Sequence, residues 1–450
     1  ARAAIPNRPE NCIALPWGQH QKGFIESLNM VSLVMRILFV HQNFPGQYRE
    51  LLQYLLAQGG HQIVFLTQRK GVPPVKGAQI VEYAPHHTPD ESAYAPTKYW
   101  EECVGNGLGA SFAAQRLHAD GFVPDVILGH VGWGELTFLK QVWPNTPIIG
   151  FFEYFFLAHG GSVGFDPEFP ASEHAPFLIH ARNAVNFANI QTVDLGQSPT
   201  CFQRDTYPVS FHDKIYVCHD GIRTDQLRPN PQARVPLNRL GRAVTREDEI
   251  FTYMARNMEP VRGFHKFMRA LPRILAERPK ARVLIIGGNE VSYGKPSDAA
   301  GGYRAELERE IHDQVDWTRV HFLGKVPYGA YQQIIQVSRC HIYLTVPFVL
   351  SWSSMEAMSM GATIVASDTA PVREVMRHGQ TAMLVDFHDH AALARQVIEV
   401  LERPGDFAHL GVAARQHMID AYDFERCCLP EHIARINSVL PRAKAIALPR

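Results

Sequence analysis

"RILFVHQNFPGQYRELLQYLLAQGGHQIVFLT", residues 36–67, contains a complete strand–helix–strand unit. Two runs of apolar and β-branched residues, RILFVHQ and HQIVFLT, flank a segment whose leucines recur at helical spacing. The leucines on the buried face of this predicted helix are Leu51, Leu52, Leu55 and Leu56. Gly59 and Gly60 then end the helix. Because both strands are apolar throughout, we expect them to be buried on both faces of a parallel sheet.

The same alternation continues along the chain. Further strands are predicted at DVILGH, TPIIGFF, IQTVDL and KIYVC, and after an irregular stretch at EIFTYMA, ARVLIIGG, RVHFLG, CHIYLTV, ATIVAS and TAMLVD. Amphipathic segments separate most of these runs. The pattern predicts an α/β protein with two Rossmann-like, doubly wound domains facing a central cleft. We expect an extension at residues 1–34, domains at 35–222 and 249–422, a Pro-rich linker at 223–248, and a helix and tail at 423–450.

The charge pattern narrows the class of ligand. The chain has 450 residues and no net charge, but residues 1–225 carry 15 Lys and Arg against 20 Asp and Glu, and the remainder 29 against 24. A mildly basic second half suits a small anionic ligand. A nucleic-acid duplex usually requires a dense basic stripe, which the sequence lacks, so we expect no nucleic-acid partner.

The cysteines and the apolar segments indicate in which cellular compartment the protein resides. The seven cysteines are scattered and form no C-x-x-C pair, which is typical of reduced thiols, so we expect a cytoplasmic protein. The first residues lack the apolar core of a signal peptide, and the run MVSLVMRILFV is interrupted by Arg36. The sequence therefore predicts no transmembrane segment.

Three loops of the first half follow predicted strands, where ligands bind in such sheets. Gly46 in HQNFPGQY opens the first helix and allows close approach of backbone amides to an anion or a sugar. His130 ends DVILGH and could position or exchange a proton; the alternative is a packing histidine. Glu153 in GFFEYFF is either an acceptor-side contact or a structural charge.

Two arginines follow the first strand of the second half. Arg256 and Arg262 in ARNMEPVRGFHKF flank a turn before Gly263 and a helix, and such fixed positive charge suits a diphosphate. The alternative is two solvated arginines on a loop. The strand end LIIGG, which includes Gly287, leads into a polar, glycine-rich loop suited to close backbone approach or to a lid.

The segment PFVLSWSSMEAMSMGATIVASD, residues 347–368, places a helix start at the same predicted cleft. Ser353-x-x-Glu356 is compatible with a capping box that needs no ligand, or with a helix terminus that holds a phosphate. The histidine clusters at 86–87 and 388–390 lack the spacing of metal ligands, so we predict no metal site.

Together these motifs resemble the family-4 retaining glycosyltransferases (glycosyl transferases group 1) of the GT-B fold, from Met35 onward. The resemblance is carried by MRILFVHQNFPG, GHVGW, SPTCFQRDTYP, CHDGIRTDQLRP, ARNMEPVRGF and EAMSMGATIVASDTAPVREVMRHGQTAMLVD. It implies transfer of a sugar from a UDP- or GDP-sugar to an acceptor hydroxyl, with retention and no required cofactor or metal. It also implies a C-terminal helix that crosses back to the first domain.

The resemblance also implies roles for individual residues. Gly46 would lend its amide to the donor phosphate and His130 would contact the transferred sugar. Arg256 and Arg262 would bind the diphosphate, although the family's spacing is usually one residue shorter and its second residue is more often lysine. The backbone near Val326 would meet the base, and Glu356 would bind the ribose. Glu374 stands at the family's acidic position before the final turn, and the acceptor could be a glycan, a lipid-linked or a small molecule.

Two departures from the family leave alternatives open. Phe348 replaces the first glutamate of the signature, which contacts hydroxyls of the donor sugar, and LSWSS replaces a glycine-rich loop. Ser351 or Trp352 could substitute for the lost contact. The alternatives to an active transferase are a catalytically weak GT-B protein with a binding or regulatory role, and a nucleotide-sugar epimerase. Peripheral membrane contact is an expectation only for a lipid-linked acceptor.

Overall fold

The computed structural model describes residues 34–237, 240–441, 444 and 446. The predicted extension at 1–34 lies, except for its last residue, outside the described residues. The first half forms a seven-stranded parallel sheet in the order β3-β2-β1-β4-β5-β6-β7. Its strands are β1 Arg36–Val40, β2 Gln62–Thr67, β3 Ala78–Glu82, β4 Val126–His130, β5 Ile148–Phe151, β6 Leu195–Ser198 and β7 Ile215–Val217.

Helices cover the first sheet on both faces. They are α1 Arg49–Gln58, α2 Ala95–Ala119, α3 Ala175–Arg182, α4 Ala184–Thr192, α5 Cys201–Asp205 and α6 Val209–His212, with short 3-10 turns at Gly46–Tyr48 and Leu139–Gln141. The apolar strand residues point alternately into two clusters, one containing Leu38 and Val40 and the other Ile37 and Phe39. This two-sided burial explains the continuous apolar strands of the sequence.

The second half repeats this architecture with a six-stranded parallel sheet in the order β12-β11-β10-β13-β14-β15. An antiparallel hairpin lies before it, inside the stretch predicted as a linker. The hairpin strands are β8 Val235–Leu237 and β9 Arg242–Val244, and the sheet strands are β10 Ile250–Asn257, β11 Arg282–Gly288, β12 Val320–Gly324, β13 Cys340–Tyr343, β14 Ile364–Ser367 and β15 Met383–Val385.

The remaining helices pack around the second sheet or return to the first. They are α7 Phe264–Glu277, α8 Gly302–Glu310, α9 Tyr328–Val337, α10 Trp352–Ser359, α11 Ala370–Val375, α12 His390–Glu402, α13 Ala408–Ala421 and α14 Leu429–Val439. Short turns of 3-10 helix occupy Pro260–Arg262, His312–Gln314 and Trp317–Arg319, and Phe424–Cys428 is a π-helical turn. The predicted α/β fold with two doubly wound parallel sheets is confirmed.

The end of the chain crosses back to the first sheet, as predicted. The backbones of Ile222 and Phe424 pair where the two crossing segments meet, with Phe424 N donating to Ile222 O at 2.9 Å. Ile433 and Ile436 of α14 are buried in the apolar cluster that also contains Phe39 of β1. The last helix therefore completes the core of the first domain.

One predicted strand is wrong in its placement. The run IQTVDL was predicted as a strand, but α4 continues through Thr192 and β6 begins only at Leu195. Ile190 is buried on the inner face of α4, so a short apolar run belongs to a helix rather than to the sheet. The strand β3 was not predicted at all.

Aromatic side chains of the first half reach into the core of the second. Tyr154, which follows β5, is buried in the apolar cluster of the second sheet. Its hydroxyl donates to the carbonyl oxygen of Pro347 at 3.1 Å. Phe156 and Phe202 pack against the same cluster. The two domains therefore share a packed contact beside the cleft. In the part of the chain that the structure describes, we find no helix with both the length and the apolar character needed to span a bilayer.

Candidate functional site

Arg262 presents a buried positive charge at the carboxyl edge of the second sheet. It ends the 3-10 turn Pro260–Arg262 between β10 and α7, and only 7% of it is exposed. Its Nη1 donates to Thr345 Oγ1 at 2.8 Å and to the Val349 carbonyl at 3.0 Å, with the Tyr343 hydroxyl at 3.5 Å. Within the described residues these partners are all neutral. A buried guanidinium without a carboxylate partner is suited to an anionic ligand.

The two arginines of the sequence motif lie in different environments. Arg256 is near the end of β10 and is exposed, whereas Arg262 is buried. Gly263 between Arg262 and α7 has φ of +65°, and a Cβ there would lie 2.6 Å from the Leu344 side chain. Only glycine fits this turn, which fixes where the Arg262 side chain leaves the backbone. At the end of β11, a Cβ on Gly287 would lie 2.8 Å from the Ala255 carbonyl oxygen, so the strand backbones approach closely.

The start of α10 is not a capping box. Ser351 is the N-cap residue and its side chain makes no cap hydrogen bond, and Ser351 Oγ lies 2.7 Å from Ser353 Oγ instead. The Glu356 carboxylate accepts from the Tyr328 hydroxyl at 2.8 Å. The capping-box interpretation is therefore wrong, because α9 supplies a tyrosine partner for Glu356 that the local sequence does not reveal.

Glu356 lies where the second domain meets α1 of the first. Its Oε1 is 4.0 Å from Arg49 Nη2, and the Arg49 guanidinium also stacks over the Tyr328 ring at 5.4 Å. Burial raises the pKa of Glu356, while the hydrogen bond from Tyr328 and the nearby Arg49 charge act in the opposite direction. A carboxylate held by a phenol and near a guanidinium is a directed acceptor for hydroxyl groups. Val326, just before α9, is half-buried against the apolar cluster of the second domain.

Phe348 is buried among aromatic rings from both domains. Its ring centre lies 4.8 Å from that of Tyr154 and 5.0 Å from that of Tyr293, and 6.4 Å from that of Phe156. The guanidinium carbon of Arg262 lies 5.8 Å from the centre of the Phe348 ring and 5.6 Å from the centre of the Tyr293 ring. Where the related signature has a carboxylate, this chain has an apolar contact that joins the domains and covers one side of Arg262.

The carboxyl ends of β1 and β4 bring two histidines together. The rings of His41 and His130 are 5.6 Å apart, and Trp133 stacks on His130 at 4.1 Å. A Cβ on Gly46 would lie 2.6 Å from His41 Nε2, and Gly46 has φ of +55°. Glycine is therefore required at 46 for the loop to fold over the histidine. Burial and the neighbouring His130 lower the pKa of His41 to about 3, so its ring is neutral at physiological pH.

His130 points its free nitrogen towards Glu153. The Gly132 amide donates to His130 Nδ1 at 3.0 Å, so the proton of the neutral ring resides on Nε2. Nε2 makes no hydrogen bond with the described residues, and its nearest acidic atom is Glu153 Oε2 at 3.5 Å. Glu153 follows β5 and a third of its side chain is exposed. The sequence-predicted histidine therefore faces a carboxylate at the sheet edge.

A second carboxylate, Asp220, lies after β7 and is only 9% exposed. Gln197 Nε2 donates to its Oδ1 at 3.4 Å, and its Oδ2 accepts no hydrogen bond from the described residues. Burial raises the pKa of Asp220 to about 7; the Glu153 charge adds to the rise, while the His432 charge and the nearby Trp352 side chain oppose it. Trp352 is the first residue of α10, so its side chain approaches Asp220 from the second domain.

Several contributors to the site were not predicted from sequence. Glu135, fully buried, accepts from the Gln42 amide and from the Tyr83 hydroxyl, both at 3.1 Å, and so holds the loop after β1. Glu259, also fully buried, accepts from the amide of Tyr293 at 3.0 Å and fixes the glycine-rich loop after β11. The only sequence signal for either is an acidic residue inside an otherwise apolar or glycine-rich run.

A charged network joins the loop after β5 to α7. His265 Nε2 lies 2.7 Å from Asp166 Oδ2, and Lys266 Nζ lies 3.4 Å from Asp166 and 3.3 Å from Glu168. Asp166, Glu168 and His265 are residue types that could hold a metal ion. However, Lys266 and Arg269 together place two positive charges beside the two carboxylates, with Arg269 Nη1 at 2.7 Å from Glu168. The geometry is that of an ion-pair contact between domains.

Glu374 of α11 caps a helix of the other domain. Its two carboxylate oxygens each accept, at 2.7 Å, from the amides of Cys201 and Phe202 at the start of α5. Removing this carboxylate in Glu374→Ala leaves two amides at a helix N-terminus without a charged acceptor. We expect the urea midpoint of the full chain to fall by an amount equivalent to about 2 kcal/mol.

The control for this prediction is Glu399→Ala, which removes an exposed i,i+4 ion pair with Arg403 on α12. That change is expected to cost less than about 0.5 kcal/mol. Equal midpoints for the two variants would show that the Glu374 contact does not stabilise the domain interface.

Comparisons with known protein families match both halves of the chain. Residues 59–227 match the model described as "Glycosyl transferase family 4 group", and residues 241–417 match "Glycosyl transferases group 1". The two matched regions lie on the two sheets and meet near the hairpin β8–β9.

Curated relatives match a smaller part. The chain is 28% identical over 216 residues to the D-inositol 3-phosphate glycosyltransferase of Streptomyces scabiei, covering 46% of this chain and 45% of that protein. It is 28% identical over 185 residues to the phosphatidyl-myo-inositol mannosyltransferase of Mycolicibacterium smegmatis, covering 40% and 42%. The chain spans about half the length of the curated relatives it matches.

Solved structures share the fold over most of the chain. Sucrose-phosphate synthase from Thermosynechococcus elongatus superposes with a TM-score of 0.65 at 17% identity, covering 89% of this chain and 98% of that one. Anabaena HepE in complex with UDP-glucose superposes with a TM-score of 0.62 at 14% identity, covering 90% and 100%. The two facing parallel-sheet domains are therefore the GT-B arrangement.

Proposed function

Because the chain belongs to the group 1 glycosyltransferases, with a first half of the family 4 group, we propose that it transfers a sugar from a nucleotide-diphosphate sugar to an acceptor hydroxyl. The anomeric configuration of the sugar is retained in this proposal. The reaction needs three things from the protein: a holder for the diphosphate leaving group, a contact for the nucleoside, and a surface for the sugar.

The observation that carries the proposal is the environment of Arg262. The guanidinium is buried at the carboxyl edge of the second sheet, and its described hydrogen-bond partners are neutral. A buried cation is costly unless an anion compensates it. A diphosphate supplies that anion, and the cation then stabilises the charge that develops on the leaving group without a protein-bound metal. Arg256, exposed near the end of β10, is our proposed second diphosphate contact.

Glu356 is our proposed contact for the ribose. Its carboxylate is positioned by the Tyr328 hydroxyl and lies at the domain boundary near Arg49. A ribose hydroxyl could replace or share the tyrosine contact, because a carboxylate accepts several hydrogen bonds. On the opposite side of the cleft, our proposed contacts are the Gly46 loop for the donor phosphate and His130 for the transferred sugar. Gly287 and Val326 line the second-domain side in this proposal.

The donor base stays open between UDP and GDP. A solved neighbour of the same fold, Anabaena HepE, holds UDP-glucose, and one matched relative from Corynebacterium glutamicum is described as GDP-mannose-dependent. We propose an acceptor that is a glycan, a lipid-linked sugar or a small polyol. A lipid-linked acceptor would bring the protein to the membrane surface without a spanning helix.

A catalytically weak binding protein is the second candidate function. The observation that favours it is Phe348, whose ring is buried against Tyr154 of the other domain and covers one side of Arg262. In that case the aromatic contact would hold the cleft closed, and the nucleotide would bind without turnover. A nucleotide-sugar epimerase is distinguished by the same experiment.

The test is incubation of the full chain with UDP-glucose, UDP-N-acetylglucosamine and GDP-mannose, followed by mass spectrometry. Nucleotide release that grows when an acceptor extract is added is the expected result. Binding without release would favour the regulatory protein. An isomerised sugar on an intact nucleotide would favour the epimerase, and absence of binding to every nucleotide would contradict the proposed donor site.

A further inference from the structure

The first domain carries two carboxylates at the cleft that the described ion pairs do not compensate. Glu153 follows β5 and has no lysine or arginine within ion-pair distance among the described residues; its ion-pair neighbour is His130. Asp220 follows β7 and forms no ion pair with the described residues. By contrast, Asp166 and Glu168 are each paired with lysine or arginine, and the buried Glu135 is held by the Gln42 amide and the Tyr83 hydroxyl.

Both carboxylates have polar atoms around them that lack partners. Oδ2 of Asp220 accepts no hydrogen bond from the described residues, although the residue is only 9% exposed. His130 is 2% exposed, and its Nε2 faces Glu153 without making a hydrogen bond. Buried polar atoms are normally satisfied, so unpartnered atoms at a cleft indicate a place for ligand groups.

The surfaces around these carboxylates are aromatic. Trp133 stacks on His130 with the rings 4.1 Å apart and nearly parallel. Trp352, the first residue of α10 on the second-domain side of the cleft, is 38% exposed. Indole rings give an apolar surface with one polar N–H. A ligand that fits here has both an apolar face and several hydroxyl donors.

The carboxylates do not form a cation site. The residues of the chain that the structure describes contain one cluster with metal-ligand spacing, and it includes neither Glu153 nor Asp220. Glu153 follows β5 and Asp220 follows β7, with β6 between these strands in the sheet, so the two carboxylates are separate acceptors along one sheet edge. Two separated acceptors instead match hydroxyl groups on different carbons of one ring.

We propose that Glu153, Asp220 and Trp352 form a binding site for the hydroxyl groups of a neutral sugar ring. This inference rests on the proposed function and deepens it: the sugar contacts that Phe348 cannot make from the second domain come from the first. Each carboxylate accepts a hydrogen bond from a hydroxyl, and the Trp352 indole covers a face of the ring. The ring belongs either to the donor or to the acceptor.

The experiment measures separately how much the nucleotide and the sugar contribute to binding affinity. UDP and UDP-glucose, or GDP and GDP-mannose if the wild-type protein prefers that pair, are titrated by calorimetry into the wild-type protein, Glu153→Gln and Asp220→Asn. Loss of a hydrogen bond to a charged group corresponds to about 10-fold to 100-fold in affinity. For a donor sugar, each variant is expected to bind the nucleotide sugar at least about 10-fold more weakly, with nucleotide affinity unchanged.

An acceptor sugar gives a different result. If the ring belongs to the acceptor, Glu153→Gln and Asp220→Asn keep wild-type donor binding and wild-type donor hydrolysis. KM of these variants for the acceptor then rises by the same factor. Trp352→Phe keeps an aromatic ring but removes part of the indole surface and its N–H, so it is expected to have a smaller effect in the same direction. Asp213→Asn is the matched control, because Asp213 is exposed at the opposite end of β7.

Thermal unfolding identifies any variant that fails to fold, and the partly exposed Glu153 keeps the test valid if Asp220→Asn is unstable. Folded, active variants with wild-type donor affinity and wild-type acceptor KM would overturn this inference alone. A wild-type protein that binds no nucleotide would instead contradict the proposed function on which it rests.

Discussion

Arg262→Ala is expected to weaken binding of the nucleotide diphosphate by about 100-fold, equivalent to about 2.7 kcal/mol. The guanidinium is buried at 7% exposure and is oriented by Thr345 Oγ1 and the Val349 carbonyl. A preorganised buried cation gains strong charge-assisted hydrogen bonds with phosphate oxygens, and alanine supplies none. Calorimetric titration of UDP and GDP into the wild-type and variant proteins measures the effect.

The stability of the unliganded protein tests the role of Arg262 in a second way. A buried cation with neutral partners costs free energy in the unliganded protein, so an apolar side chain of similar length should not be harmful. We expect Arg262→Met to unfold at the wild-type temperature or above it while losing nucleotide affinity. The control is Arg273→Ala on α7, whose arginine is 44% exposed and pairs with Glu277. Unchanged UDP and GDP affinity in folded Arg262→Met would contradict the diphosphate assignment.

The fold was predictable because local patterns and tertiary burial agree. The leucines of α1 and the apolar runs β1, β2, β10 and β11 lie where their periodicity predicts. The strand β3 was missed because its edge position leaves it only partly buried, with no continuous apolar run. The end of α4 was predicted as a strand for the opposite reason, since Ile190 and Val193 are buried beside a turn rather than within the sheet.

The site was predictable only as a set of loops. Arg262 follows β10, His130 ends β4 and Glu356 lies within α10, and sheet topology brings these segments to one cleft. Their partners depend on contacts between distant segments. Glu374 binds amides at Cys201 and Phe202, and the Tyr154 hydroxyl donates to the Pro347 carbonyl, contacts across the domain boundary that no local pattern records.

The replacement of a glutamate by Phe348 has a structural explanation. The ring is packed between Tyr154 and Tyr293, so an ionised carboxylate at this position would lie in an apolar contact. Such burial is unfavourable unless the charge is paired. The first domain meanwhile offers Glu153 and Asp220 at the same cleft. Acidic groups thus occur on the domain opposite to that expected from the related signature.

Asp220→Asn is expected to stabilise the unliganded protein at pH 8 but not at pH 4. Burial and the Glu153 charge raise the pKa of Asp220 from its ordinary value of 3.8 to about 7. Between these values the folded protein holds a proton that the unfolded chain has released, so the contribution of Asp220 to stability falls as pH rises through this window. Asparagine does not titrate, and the gain at pH 8 is up to about 4 kcal/mol.

The measurement is the difference in free energy of unfolding between the wild-type protein and Asp220→Asn, determined with urea from pH 4 to pH 8. Titrating groups that do not interact with Asp220 are present in both proteins and cancel in the difference, whereas the charges of His432 and Glu153 act on Asp220 and belong to the balance that sets its pKa. The difference in free energy of unfolding should increase between pH 4 and pH 7 and stay constant above that range. Asp213→Asn, which removes an exposed aspartate before β7, is the control. A pH-independent difference for Asp220→Asn would mean that Asp220 titrates normally, and that its carboxylate is not the desolvated acceptor required for the sugar site.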